Sequence, residues 1–547
     1  MALLLAAAPA SAACGTVVLP AGVGVAPPGA VTSLSWLLSN SAYNNEAIEQ
    51  IHRPLVWFDR NLNYDPAMSL ASSVVTPDGG RTWLLTIKPW VWSDGVPLTA
   101  QDVVFTFDLV RKLGPNYVHY GEGGVPNLLD RVVALSAHVV EIQLTQPVNP
   151  DWFLRLGLGW IKPLPAHIYR GLDLLTLRAR QTDTSLYAVS DGPFLLRHWQ
   201  LDRSITLIAN PRFGGTKPRI KRLVIDFLLG SNALQALRAG ETDAADVPYP
   251  LWNLARALPG FQTTSMGGPF SFASMILNFR SRHAPFLRDV RVRQAIASAI
   301  DQKQLIDLVF HGQSQQLHGP VPPAMTSFLS PQGRAGYADL DYNPAHARAL
   351  LEAAGFTSGP DGVRARNGQR LALDVEVPAA GDALLMLQII QRNLHAVGIA
   401  LSLHTVEFNQ LLATLDGNGQ DWDSIVIAWT VQSFPDSARF FSTHGDANYG
   451  HYHNARMDAL QAAVSIAPDR QALFAAEDYV AEQQPFIFLP NGRASTLTRN
   501  GLHGIGAMVS PTGNWAPEFL SLGGALACAP SPQQTAEEAG HAYTLRN

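Results

Sequence analysis

With 547 residues, 47% of them hydrophobic and 15% charged, the chain is too apolar to remain disordered and too long for a single core. At roughly 100 to 200 residues per domain, such a length corresponds to about three to four structural units. Lys plus Arg number 39 against 44 Asp plus Glu, a net charge of -5 with no basic run, which excludes the electrostatic footprint of a nucleic-acid binder.

The chain opens MALLLAAAPASAACG, a short apolar core at Leu3 to Ala8 followed by the small residues Ala10, Ser11 and Ala12. This reads as the end of a secretory signal without its positive leading region, with 1–13 as the remnant. The run is far below the ~20 residues of a membrane span and no other stretch reaches that length, so the mature protein is expected to be soluble outside the cytoplasmic membrane. Cys14 and Cys528 stand at opposite ends of the chain. Three readings compete: an acylated Cys14 serving as a lipid anchor, a disulfide joining the two ends, or two inert thiols. Ser11 lies where a lipoprotein signal prefers Leu, and an oxidising compartment permits the disulfide, which is placed first.

The most tightly specified local unit is RTWLLTIKPWVWSDGVPLTAQDVVFTF at 81–107. Trp83, Leu85 and Ile87 alternate as a strand with one buried face. Ser93, Asp94 and Gly95 supply turn chemistry. Thr99 is an N-cap with Asp102 at the third helical position, Leu98 can staple against Val103, and the helix stops at Gly114. Further on, 289–300 is a helix whose Val292, Ile296 and Ala299 share a face. Asp301 restarts a second helix that ends at Gly312. Asn343 and Pro344 begin a third, which runs to Gly355. From 371 to 429 the pattern is strand, helix, strand, helix, strand, a βαβαβ unit and hence an α/β lobe. The segment from Ser521, with APSPQQTAEEAG inside it, reads as a loosely ordered tail.

No G-x-S-x-G, H-E-x-x-H, G-x-x-x-x-G-K-(S/T), C-x-x-C or G-x-G-x-x-G string is present, so the sequence gives no sign of an enzyme or of a cofactor. His444, His451 and His453 form the one histidine cluster and could present imidazoles to a metal; the plainer reading is a loop leading into a helix capped by Asn454. WTVQSFPD at 429–436 follows the end of a strand in an α/β lobe, where ligands sit outside the carboxyl ends of strands. Trp429 is therefore expected to wall a cleft, the alternative being a Trp that plugs the lobe core.

Four strings carry a family resemblance. Residues 81–107 closely resemble the signature W-x-F-x-I-(R/K)-x-x-V-x-(W/F)-S-D-G-x-P-(L/F)-T-A-x-D-V-V-x-(S/T) of family 5 of the ABC transporter extracellular solute-binding proteins, which serve peptide, nickel and related importers. FLRDVRVRQAIASAIDQKQLI and DYNPAHARALLEAAGF are similar to two further motifs of that family, and HYHNARMDAL resembles its Y-x-N-x-x-(V/M)-D-x-L. The resemblance runs from Ser41 to the region around Trp515. It implies an α/β, two-lobed periplasmic-binding-protein fold with two hinge crossings, at 275–280 and 485–490. The first lobe would comprise 14–272 with an extra subdomain near 58–190, the second 273–490, and 491–547 would return to the first. The implied function is extracytoplasmic capture of a peptide or peptide-like small organic solute by a periplasmic monomer, for delivery to an ABC permease. A metal or metal-chelate carrier using the three histidines, and a secreted hydrolase, are the alternatives.

The resemblance also marks site residues. WTVQSFPD resembles the family's W-x-x-D-x-x-(D/E)-P loop, whose first Asp pairs with the α-ammonium of a peptide ligand. Gln432 stands at that position, and the loop is one residue shorter before Pro435. Gln can hydrogen-bond an ammonium but cannot neutralise it, so solutes neutral or blocked at that end are expected, with Gln432→Asp raising affinity for free-amine peptides and Asp436 as the substitute acid. Tyr43 and Asn44 are expected to line the first lobe's side of the cleft, with Tyr249, Phe270 and Trp515 as aromatic candidates in irregular segments.

Overall fold

The computed structural model describes residues 15–523 apart from 25–28, 40, 229–231, 267–269, 380–382, 418, 420, 493–494 and 511. The signal remnant, both cysteines with the lipid anchor and the disulfide, and the tail beyond residue 523 lie outside the described residues.

The unit at 81–107 folds as its pattern dictates. Strand Thr82–Ile87 buries Trp83, Leu85 and Ile87 and pairs antiparallel with Ala71–Val75 on one side and Val139–Leu144 on the other; Leu129–Ala134 completes a four-stranded sheet. Helix Ala100–Leu113 follows, with the Asp102 carboxylate accepting the Thr99 backbone N–H at 2.9 Å. The same carboxylate accepts the Ala166 N–H at 3.0 Å, so one capping residue also anchors a distant loop. Leaving such a buried N–H unpaired would cost about 1–3 kcal/mol.

A second sheet sets Thr16–Pro20 parallel to Arg222–Asp226, with Ser204–Ala209 and Phe194–Gln200 beyond it. In a third, Ser495–Arg499 inserts between Phe261–Ser265 and Ala244–Asp246, so the end of the chain is woven into the half built by its beginning.

The other half centres on a five-stranded sheet in the order Ala400–Val406, Ala372–Pro378, Ser424–Thr430, Ser271–Leu277, Phe486–Leu489. The expected βαβαβ unit supplies its parallel part, with helices Ala383–His395 and Phe408–Asp416 as the crossovers. The upstream helices are capped by the residues expected: Asp289 accepts the Arg291 N–H, Asp301 that of Gln304, and Asn343 that of His346.

The two antiparallel strands of this sheet correct one expectation. Strands Phe261–Ser265 and Ser495–Arg499 belong to the sheet of one half and Ser271–Leu277 and Phe486–Leu489 to that of the other, so the halves are exchanged before Ser271 and after Leu489, not at 275–280 and 485–490, where Met275–Leu277 and Phe486–Leu489 are buried strand. Met275–Leu277 and Phe486–Leu489 are short apolar runs, and a strand covered on both faces carries no alternation to distinguish it from an extended connection.

Candidate functional site

Strand Ser424–Thr430 ends where the two halves face each other, and the segment after it lines a cleft of about 690 Å³. Gln432, Asp436 and Phe440 contribute from this side; Tyr120, Glu122 and Trp152 contribute from the other. Side chains join across the gap. Gln432 Oε1 accepts the Trp160 indole N–H at 3.0 Å, and its Nε2 donates to Glu122 Oε2 at 3.0 Å. The Trp152 indole donates to Asp436 Oδ2 at 2.7 Å, while Asp436 Oδ1 accepts the Ala438 N–H at 2.9 Å and starts the short helix Ala438–Phe441. At the rim, Arg470 donates to Asp151 at 2.7 Å and the Asn149 N–H donates to Ser465 O at 2.8 Å.

Glu122 is the electrostatic centre of this arrangement. Its Oε2 also lies 3.1 Å from His119 Nδ1, and the His119 ring stacks on Trp160 with centroids 4.1 Å apart and 12° between planes. Burial pushes the Glu122 carboxyl up, but the bonds from His119 and Gln432 and the charge of Arg439 outweigh it, and the net direction is down. Asp436 moves the other way: burial raises it and the charge of Glu122 adds to the rise, against the Ala438 and Trp152 bonds.

Of the residues expected at the site, Gln432 and Asp436 line this cleft; the others are placed elsewhere. Trp429 is half-buried behind it, with its ring 5.1 Å from Phe440 and 6.0 Å from Tyr449. Phe270 is buried and its carbonyl accepts the Val431 N–H at 2.5 Å, tying one interlobe passage to the cleft segment. Tyr249 stands edge-on to Phe310 at 5.4 Å. Tyr43 is half-buried in helix Ala42–Ile51. Asn44 is buried and committed to the chain before that helix: Oδ1 accepts the Thr32 N–H at 2.8 Å and Nδ2 donates to Ser39 Oγ at 2.6 Å. Among the histidines, His444 lines the cleft while His451 and His453 line a separate surface pocket, and no group of three metal-ligating side chains occurs among the described residues.

Trp515 is buried against the polar face of helix Ala42–Ile51, where Glu49 Oε2 accepts its backbone N–H at 3.0 Å and Gln50 donates to its carbonyl at 3.1 Å. Burial pushes the Glu49 carboxyl from 4.5 up to about 7, against the charges of Lys162 and Arg53 and the Trp515 bond. The folded protein therefore holds a proton that the unfolded chain has released between those two values. Its stability contribution is complete below the unfolded pKa and is lost as pH rises through the folded one, about 3 kcal/mol in order of magnitude across the window. Glu49→Gln keeps the acceptor and removes the titration. Urea unfolding at pH 5 and pH 8 should show a smaller loss of stability in the variant than in the parent; equal losses would exclude Glu49 as the source.

Glu122, His119, Trp152 and Trp160 carry no sequence signal of function. They lie in a glycine-rich stretch and an apolar segment remote from residue 432, and only the fold brings them to it.

Comparison with known proteins adds three findings. Residues 65–451 match the model of the bacterial extracellular solute-binding proteins, family 5 middle. The chain is 26% identical over 472 residues to the oligopeptide-binding protein AppA of Bacillus subtilis (strain 168), covering 83% of each chain, and 26% identical over 391 residues to the dipeptide-binding protein of Escherichia coli (strain K12), covering 68% of this chain and 69% of that one. The solved structure of Bacillus subtilis AppA in complex with a nonapeptide superposes with a TM-score of 0.74 at 22% identity, covering 93% of this chain and 99% of that one; the fold is the two-lobed α/β fold of such proteins.

Proposed function

The chain belongs to the bacterial extracellular solute-binding proteins of family 5, and from that membership we propose that it captures a peptide or peptide-like small organic solute between its lobes and delivers it to an ABC permease in the cytoplasmic membrane. In this reading the first lobe is built by the chain up to Ser265, with its subdomain near 58–190, the second by Ser271 to Leu489, and the chain from Ser495 returns to the first. The protein acts in the periplasm as a monomeric binder, not as an enzyme.

One observation carries the reading: the cleft is lined from both lobes, and the side chains that line it bond to each other across it. A solute there is buried on two sides, so its affinity depends on the lobes being together, and the closed form is the state a permease can distinguish. Aromatic walls with a few placed polar groups are the usual make-up of a small-molecule site.

Native mass spectrometry of protein purified from its producing cells without unfolding tests the proposal. A small organic adduct that unfolding releases, together with calorimetric binding of members of a di- to oligopeptide panel, is the expected result. A chain that retains nothing and titrates with no peptide would reject it. Turnover of peptide substrates would favour the hydrolase instead, and stoichiometric metal on analysis the metal carrier.

A further inference from the structure

We propose that the surface pocket beside the cleft is a second binding site, built for the phosphate group of a small hydroxylated molecule and holding that phosphate with Arg280, His451 and His453. It is separate from the solute cleft and does not depend on what the cleft binds.

Segment 442–453 stands between the cleft and this pocket of about 570 Å³. Ser442 and His444 line the cleft, Thr443, Tyr449, His451 and His453 line the pocket, and Gly445 and Asp446 line both. Side chains fix the frame of the segment. The Asn448 amide donates to the carbonyls of Ser442 at 3.0 Å and Tyr452 at 2.8 Å, and it accepts the Tyr452 N–H at 2.9 Å. Asp458 accepts both the N–H and the hydroxyl of Thr443, at 2.7 Å each.

His451 stands in this frame with φ at 56°, the left-handed region that suits glycine and strains a residue carrying a Cβ. Its ring is half-buried and makes no hydrogen bond to a described residue, so nothing in the local packing accounts for the strained backbone. Strain of this kind collects where a side chain serves a ligand. His453 is prepared by its neighbour. The Thr443 hydroxyl gives its proton to Asp458, so its oxygen accepts from His453 Nδ1 at 2.7 Å, and Nε2 is left to accept a phosphate hydroxyl or, protonated, to donate to a phosphate oxygen. Arg280 completes the set. Burial and then the Arg280 charge push the His451 imidazole down, which places the two rings of donors within each other's field. An oxyanion between them replaces that repulsion with charge-assisted bonds, and the planar guanidinium matches phosphate geometry.

The two acids in the wall leave this arrangement intact. Asp446 accepts from Arg439 at 3.1 Å. Asp416 ends helix Phe408–Asp416 and acts on Tyr449, whose phenol is pushed up by burial and then by that charge. An acceptor and a proton donor side by side suit the hydroxyls of the molecule that carries the phosphate, and the volume leaves room for it. A bare metal ion fits less well, because the two imidazoles have no third ligand among the described residues.

The test is calorimetric titration of the full chain with glycerol phosphate, inorganic phosphate and glycerol, in a buffer free of phosphate and sulfate. One equivalent of glycerol phosphate should bind, and glycerol should give no signal. His451→Gly and Arg280→Gln should each lose about 10-fold or more in affinity. His451→Gly should also melt no lower than the parent, because glycine relieves the strain that histidine bears there. Sedimentation with phosphatidylcholine vesicles, with and without phosphatidylglycerol, separates the two sources of such a group: association that glycerol phosphate displaces assigns it to a lipid headgroup, and no such association assigns it to a free molecule. A parent that binds neither glycerol phosphate nor inorganic phosphate, or binding that either variant keeps in full, overturns the proposal.

Discussion

Glu518→Ala should destabilise the protein by about 3–5 kcal/mol, the usual cost of removing one partner from a buried ion pair. Glu518 lies 2.5 Å from Arg53 Nη2, and both side chains are 1% exposed. The guanidinium is enclosed by aromatic faces, 5.0 Å from the Trp57 ring centroid and 5.2 Å from that of Phe213, and its Nε and Nη1 have no acceptor among the described residues. Without Glu518 a full charge stays in the core with its bonded carboxylate gone. Replacing both members by apolar residues, Arg53→Met with Glu518→Leu, removes the charge as well as the partner and should restore most of the loss. Urea unfolding of the single and double variants distinguishes this account from simple loss of packing, in which the double variant would be the less stable.

Phe272→Ala should cost a similar amount, about 3–5 kcal/mol, through the cavity it leaves. The ring is 1% exposed in strand Ser271–Leu277, edge-on to Phe440 at 6.0 Å and to Phe488 at 5.4 Å, while also reaching the cleft wall. Stability and binding are coupled at this position, because Phe440 leans on the ring from the ligand side. A lower denaturant midpoint at unchanged m-value is the expected signature. Trp429, its cross-strand neighbour, is only half-buried and rests on Phe440 and Tyr449, so truncation there should cost less. A larger loss at 429 than at 272 would mean that Trp429 is the core plug.

The readable parts of the sequence are those in which neighbouring residues settle the outcome. The alternation of Trp83, Leu85 and Ile87, the Thr99 and Asp102 capping pair, and the Asn343 cap before Pro344 each encode a local geometry that the fold keeps. The strand–helix alternation from 371 to 429 likewise sets a parallel sheet, because its crossovers leave little other choice. The site was legible on one side only. Gln432 and Asp436 follow a strand end and could be placed there from pattern, whereas Glu122, with His119 bonded to it, meets Gln432 across about 310 residues of chain, a contact that no local period encodes. Asn44 erred in the opposite direction. Its motif position suggested ligand contact, but its amide holds the backbone of the preceding loop, and a polar side chain in a motif reads the same for either use until its partners are known.

The central claim is that a solute held between the lobes draws them together, and small-angle X-ray scattering addresses it most directly. Protein stripped of bound solute by unfolding and refolding is measured alone and then saturated with the compound recovered by native mass spectrometry or with the peptide that titrates. The account predicts a smaller radius of gyration with solute than without. An unchanged radius at saturation would contradict it.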